Sequence, residues 1–300
     1  MAPRFDCVCV GLSTIDVLAL IGGRLREDEK LLAEQIAVDG GGPAGTAACA
    51  AARGGLKTAV LSCIGRDLWS DFILEGFRRF QVSTRFVQTV PGLSTPVSLI
   101  AVNRRNASRT IIWNNQGVDR QSFSLPKLLR RGLLSTRCLH FDGHLMGLSV
   151  RLAGLAQARG IMTSYDCGSV KPGWERLAAL SDVFIASHQF VRQLGLSIPQ
   201  AIRSLRLSFG FQIAVTAGER GFYCFAPSSG RVEHVRQKRY RAIDTTGCGD
   251  VFHGAFLARY LKQRDFLAAL RFAQAAAGTK TLRLGGRCGI PGHTGTRQTC

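Results

Sequence analysis

Four apolar runs from residue 137 onward set the tightest limit on the chain's fold: RCLHFDG (137–143), IMTSYDCG (161–168), DVFIAS (182–187) and FQIAVTAG (211–218). Each ends in polar or small residues, and helical patterns separate most of them, including one over 148–159. The first half follows the same order. Phe5–Val10 reads as a strand and Pro43–Arg53 as an Ala-rich helix pressed closely on a sheet. Residues 58–64 form a further strand, after which Trp69, Phe72, Ile73, Gly76, Phe77 and Phe80 recur at helical spacing. Strand-then-helix order predicts an α/β, three-layer sandwich with a mostly parallel sheet and helices on both faces. Ligands of such sheets sit beyond the carboxyl ends of the strands. Asp16, Asp142, His144, Asp166 and Thr216 fall at such ends, which points to one site at one sheet edge.

Two regions, 17–38 and 95–113, carry β-rich pieces without helices between them, and predict a small second sheet acting as a lid. A chain of 300 residues fits one large α/β domain or two small ones, and 292–300 reads as a loose tail. No apolar run approaches the roughly 20 residues of a membrane span. The N-terminal apolar stretch is too short for a signal peptide, so the expected location is cytoplasmic.

The net charge is +19. Its densest runs are short (RRNASR, RQKRYR) and lack interleaved aromatics, which argues against a nucleic-acid partner. The positive field instead favours anionic ligands such as nucleotides. Most of the ten cysteines lie in apolar runs, and no CxxC pair occurs. Reduced thiols and no cysteine metal site are expected.

Gly40, Gly42 and Gly45 match a G-x-G-x-x-G pattern, with Asp67 about twenty residues on. A dinucleotide turn should follow the first strand, yet Phe5–Val10 already precedes it. These glycines therefore serve close approach to a polyhydroxylated ligand or tight helix packing.

The stretch DTTGCGDVFHGAF (244–256) carries the chemistry. A helix starting near Gly247 presents unpaired amides and a positive dipole end. Gly247, Cys248 and Gly249 let a phosphate reach those amides. Asp250, in the first turn, is placed to take the proton of an attacking hydroxyl. A plain helix start with a dipole-favoured Asp would show the same spacing. Cys248, at a helix N-terminus, is expected to have a lowered pKa and mild oxidant sensitivity.

This stretch resembles the C-terminal signature of the ribokinase-like, or PfkB, carbohydrate kinases. Gly41, Gly42, Ala44, Ala48, Gly55 and Gly65 resemble the family's N-terminal signature, GLSTID (11–16) the sugar-binding end of its first strand, and VTAGERGFYCF (215–225) its nucleotide segment. The match is ordered along essentially the whole chain. GGGPAGTAA, DTTGCGDVFHGA and GGRCGIP are most similar to the sulfofructose kinase branch.

The resemblance implies Asp250 as general base and the amides of Gly247, Cys248 and Gly249 as anion hole. It implies Asp16, Gly41, Gly42 and Thr46 as sugar contacts, and Thr216, Gly218 and Gly221 as lining for ATP. It further implies Mg²⁺, a monovalent cation such as K⁺ near Asp244 and Thr246, and a homodimer through the lid. Three departures stand out. Thr46 replaces the usual Asn. No acid occurs in ASHQFVRQ (186–193), where the family's N-x-x-E organises magnesium. At the branch's sulfonate positions Lys30 is kept, but Trp113 and His144 replace Asn and Arg, and losing a bidentate anion binder argues against a sulfonated substrate. Trp113 either stacks on the sugar or closes the lid's apolar face, and His144 is either a ligand contact or a satisfied polar residue. The reading is an ATP-dependent sugar kinase; the alternatives are a nucleoside kinase of the same family and a non-catalytic sugar- or nucleotide-binding protein.

Overall fold

Alternation along the first strand shows why the main sheet is covered on both sides. Cys7 and Cys9 point into one core and Val8 and Val10 into the other, all fully buried. In the computed structural model, which describes residues 3–115, 117–227 and 229–292, the strands are β1 (Phe5–Val10), β2 (Thr14–Ile21), β3 (Gln35–Gly41), β4 (Thr58–Gly65), β5 (Ser83–Val90), β6 (Val97–Asn103), β7 (Arg109–Asn114), β8 (Thr136–Phe141), β9 (Met162–Cys167), β10 (Val183–Ser187), β11 (Gln212–Thr216), β12 (Phe222–Ala226) and β13 (Arg231–Val235).

Nine of them form one sheet in the order β13-β12-β11-β10-β9-β8-β1-β4-β5. It is parallel except at β12 and β13, which add as antiparallel edge strands. The helices are α1 (Pro43–Arg53), α2 (Leu68–Arg79), α3 (Leu125–Arg130), α4 (Met146–Gln157), α5 (Trp174–Ala178), α6 (His188–Gln193), α7 (Ile198–Phe209), α8 (Cys248–Gln263) and α9 (Phe266–Lys280). Helices α1, α2, α8 and α9 cover one face, and α3 to α7 cover the other. Small residues make the first layer thin: a Cβ on Gly254 of α8 would stand 2.3 Å from the Ala47 carbonyl of α1.

The irregular regions form a second sheet, β3-β2-β6-β7. Its register puts Asp39, Asp16, Ser98 and Trp113 in one row across the four strands. The same face continues into Leu18, Leu20, Ile100 and Val102, packed on Leu284. The opposite face carries a row of Val38, Val17, Leu99 and Ile112; Leu99 and Ile112 are more than half exposed.

Two sequence signals resolve here. Gly40 and Gly41 lie in an antiparallel strand of the small sheet, so the glycine pattern is not a dinucleotide turn. Asp67 caps α2 by accepting from Ser70 N (3.1 Å) and binds Thr95 through its amide (2.8 Å) and hydroxyl (2.7 Å). Among the described residues eight cysteines are free thiols, whereas Cys288 is disulfide-bonded, a departure from the reduced state expected. Among the described residues no helix is long and apolar enough to cross a membrane. The tail expected over 292–300 lies, from 293 on, outside the described residues.

Candidate active site

Helix α8 opens on Gly247, whose φ of 73° favours glycine and whose Cβ would lie 2.9 Å from Gly286 Cα. The Cys248 amide makes a long 3.3 Å bond to Thr245 O. Among the described residues the amides of Gly247, Gly249 and Asp250 meet no acceptor. Gly249 is exposed, with open space where a side chain would stand. Sixteen residues of helix add their dipole at this point. The start of α8 is thus an open anion cradle. Asp244 braces the turn before it: Oδ1 accepts from Thr246 N at 2.7 Å and Oδ2 from Gly285 N at 2.9 Å.

Asp250 sits in the first turn, half-buried. Burial pushes its carboxyl up to about 7, and the Asp166 charge adds to that, with smaller contributions from Asp16 and Asp142. His253, one turn further along α8, opposes them and lies 3.1 Å from Asp166 Oδ1. Asp166 is held low by His253 despite its own burial. His140 completes a buried cluster whose ligand atoms lie within 4.8 Å of one another; burial and then His253 hold its imidazole down at about 4. A carboxyl titrating near neutrality suits a general base.

Cys248 corrects its expectation. Burial drives its thiol up to about 11 and outweighs the attraction of Lys280 and Arg109. A helix terminus activates a thiol that water reaches, and this one is largely withdrawn from water.

Asp16, expected at the carboxyl end of the first strand, lies instead within β2 of the small sheet; it is buried and accepts from Thr14 Oγ1 at 2.9 Å, and burial raises its pKa. A Cβ on Gly41 would fall 2.2 Å from Asp16 Oδ1, so glycine is what lets β3 pass that carboxylate. Gly42, with φ of 83°, is the N-cap of α1. Asp142 is occupied structurally: Oδ2 accepts from Leu12 N (2.8 Å) and Ala44 N (3.1 Å), and Oδ1 from His144 N (2.8 Å). His144 Nδ1 lies 3.2 Å from Asp119 Oδ2, and its ring meets Trp113 edge-on at 5.9 Å. His144 and the Leu145 amide hold Asp119 down at about 2 although burial opposes them. Trp113 thereby joins the small sheet to the strand ends. Lys30 is exposed on the loop after β2, with no described contact to the other candidates.

Thr46 is buried, and Arg287 Nε stands 3.5 Å from its hydroxyl. Arg287 had no role in the sequence reading beyond its place in GGRCGIP. Its fully buried side chain donates from Nη2 to Gly41 O at 2.6 Å and lies over the Phe77 ring at 4.6 Å. Its backbone N donates to Asp39 Oδ2 at 2.8 Å, which ties the C-terminal loop to β3. Arg109 was also missed. From β7 it donates to Thr245 Oγ1 at 2.6 Å, bringing a guanidinium from the small sheet to the turn before the cradle. Sequence pattern offered only a signal of charge for these two, because their partners lie 136 and 246 residues away.

The nucleotide candidates cluster around β11. Thr216 closes it, its hydroxyl 3.3 Å from Ala186 O. Gly218 and Gly221 form the turn into β12 at φ 60° and 94°, and a Cβ on Gly221 would strike Val235 O at 2.0 Å. Gly221 is therefore demanded by the backbone itself. Helix α6 carries no carboxylate, and Arg220 approaches its His188 at 3.1 Å. The residues present supply no cage for magnesium at α6.

Comparison with known proteins bears on the family and the fold. A profile of the pfkB family carbohydrate kinases matches residues 4–291. A ribokinase from Haemophilus influenzae is 25% identical over 276 residues, spanning 88% of each chain. The structure of a ribokinase from Giardia lamblia superposes with a TM-score of 0.84 at 20% identity, covering 97% of both chains. That of an Arabidopsis thaliana ribokinase complexed with ribose and ATP gives 0.81 at 21% identity, covering 97% of this chain and 96% of that one. The chain belongs to the pfkB family of carbohydrate kinases and has its ribokinase-like fold.

Proposed function

We propose that the protein transfers the γ-phosphoryl group of ATP to a hydroxyl of an uncharged sugar. The observation that carries this reading is Asp250, a carboxyl poised near neutrality at the open start of α8. In the reaction the sugar oxygen attacks the γ-phosphorus in line. Its proton passes to an Asp250 oxygen as the new P–O bond forms and the bond to the β-phosphate bridging oxygen breaks. The amides of Gly247, Cys248 and Gly249 receive the charge on the transferred group, and Asp250 later releases the proton to water. Arg109, held at Thr245, adds positive charge from the small sheet. Magnesium bound to the ATP phosphates would offset their charge, α6 offering no carboxylate to hold it.

The sugar lies over Asp16, Gly41, Gly42 and Thr46, with Trp113 and His144 at its far side. An uncharged acceptor is supported by the acids lining this region (Asp16, Asp119). ATP lies along Thr216, Gly218 and Gly221. The small sheet acts as lid, excluding water while the phosphoryl moves. Its outer row of Val38, Val17, Leu99 and Ile112 supports pairing with a second copy.

Screening ATP turnover with neutral, phosphorylated and sulfonated sugars and with nucleosides tests this reading. Turnover with neutral sugars is expected, and its loss in Asp250→Asn with ATP binding retained. Turnover confined to sulfonated sugars or nucleosides would overturn the acceptor class, and no turnover at all would overturn the kinase reading.

A further inference from the structure

The turn that braces the phosphate cradle already contains a positive charge. Lys280, the last residue of α9, and Asp244 are both wholly buried. Lys280 Nζ lies 3.5 Å from Asp244 Oδ2 and donates to the Asp244 carbonyl at 3.1 Å. The remaining capacity of Asp244 is committed locally, with Oδ1 on Thr246 N and Oδ2 on Gly285 N. The Asp244 amide donates to Thr281 O at 3.1 Å, so the same segment that delivers Lys280 also holds the turn. Among the described residues the side-chain oxygen left unpartnered at this turn is the neutral Thr246 hydroxyl. An alkali ion at Asp244 would have to share its carboxylate and carbonyl oxygens with an ammonium that already lies against both. The residues at Asp244 and Thr246 therefore do not fit the free monovalent cation that the family resemblance implies.

We propose that Lys280 is a tethered replacement for that cation. An ammonium is a compact point charge of the same sign and valence as K⁺, and a covalent stem removes the need to recruit it from solution. A buried carboxylate without a counter-charge would be strongly unfavourable, so the turn needs a cation of one kind or the other. With Lys280 in place, Asp244 holds Thr246 N and Gly285 N. The amides of 247–249 are then presented at α8 whichever alkali salt is present. Only the effect on turnover rests on the phosphoryl-transfer reading; the effect on stability does not.

The test measures thermal melting, and ATP turnover with an acceptor found active, in potassium, sodium and tetramethylammonium chloride at equal ionic strength. Wild type is expected to melt at one temperature and turn over at one rate in all three. Lys280→Ala is expected to melt roughly 10 °C lower in tetramethylammonium and to regain much of that in potassium, with turnover following. Lys280→Gln, which keeps a polar side chain, should show the same cation response in milder form. A wild-type melting point that rises selectively in potassium would overturn the proposal even if neither variant folds. Folded variants that no alkali ion rescues would reduce Lys280 to an ordinary ion pair and overturn it equally. If melting responds as expected while no acceptor is turned over, the kinase reading fails and the cation replacement stands.

Discussion

Replacing the proposed base should make the protein more stable while stopping its chemistry. Burial and the neighbouring Asp166 raise the Asp250 carboxyl from its ordinary 3.8 to about 7, which corresponds to about 4 kcal/mol in favour of the protonated form. The folded protein thus holds this proton more tightly than the unfolded chain does. The resulting stability is complete below about pH 4 and is lost as pH rises through about 7. Above that, the ionised carboxylate opposes folding. Partial exposure and counter-ions reduce the ceiling, leaving roughly 1–2 kcal/mol at pH 8. Asp250→Asn, uncharged at every pH, should therefore melt about 2–5 °C above wild type at pH 8. The gap should close toward pH 5, where wild-type Asp250 is protonated. Scanning fluorimetry of both proteins from pH 5 to 8 reads this directly, with circular dichroism as a check on the fold. A variant that melts at or below wild type at pH 8, or a gap independent of pH, would refute the argument that this carboxyl is displaced toward neutrality. Wild-type turnover should fall with one proton as pH drops below about 7, because the base is then occupied.

The glycines of the cradle should separate by role. Gly247→Ala forces a side chain into a left-handed turn against Gly286 and should lower stability by roughly 1–2 kcal/mol, whereas Gly249→Ala meets open space, so it should melt normally yet lose turnover because its methyl stands at the open amides. Arg109→Ala should reduce kcat by about tenfold with an unchanged melting point, since the side chain is exposed and its bond to Thr245 joins the small sheet to the turn; a stability loss without a rate loss would make it structural. Cys248 should resist iodoacetamide at neutral pH, its thiol lying near 11, and rapid inactivation that Cys248→Ala abolishes would show that water reaches it after all.

Much of the candidate site's local structure was legible because its elements are local. A helix start rich in small residues with an acid in its first turn is written in seven consecutive positions, and Gly247, Cys248, Gly249 and Asp250 adopt that form. The carboxyl ends of β8, β9 and β11 were likewise visible as apolar runs ending in polar groups. What those polar groups do was less visible. Asp142 is consumed by three backbone amides and His144 is paired with Asp119, neither of which spacing could reveal. Lys30 looked like a binding residue by position and stands exposed on a loop.

The division has a physical cause. Strand-then-helix order follows from short-range periodicity, since a strand buried on both faces must be apolar throughout and a helix must turn one stripe inward. That is why α/β layering, the small second sheet and the opening of α8 are properties of the sequence itself. Charge partners are not local. Arg287 finds the Gly41 carbonyl 246 residues away and Arg109 finds Thr245 across 136. Only folding brings Lys280 to the Asp244 carbonyl, 36 residues earlier in the chain. Cys248 illustrates the same division: the helix terminus is in the sequence, but the burial that raises its thiol exists only once the layers close around it.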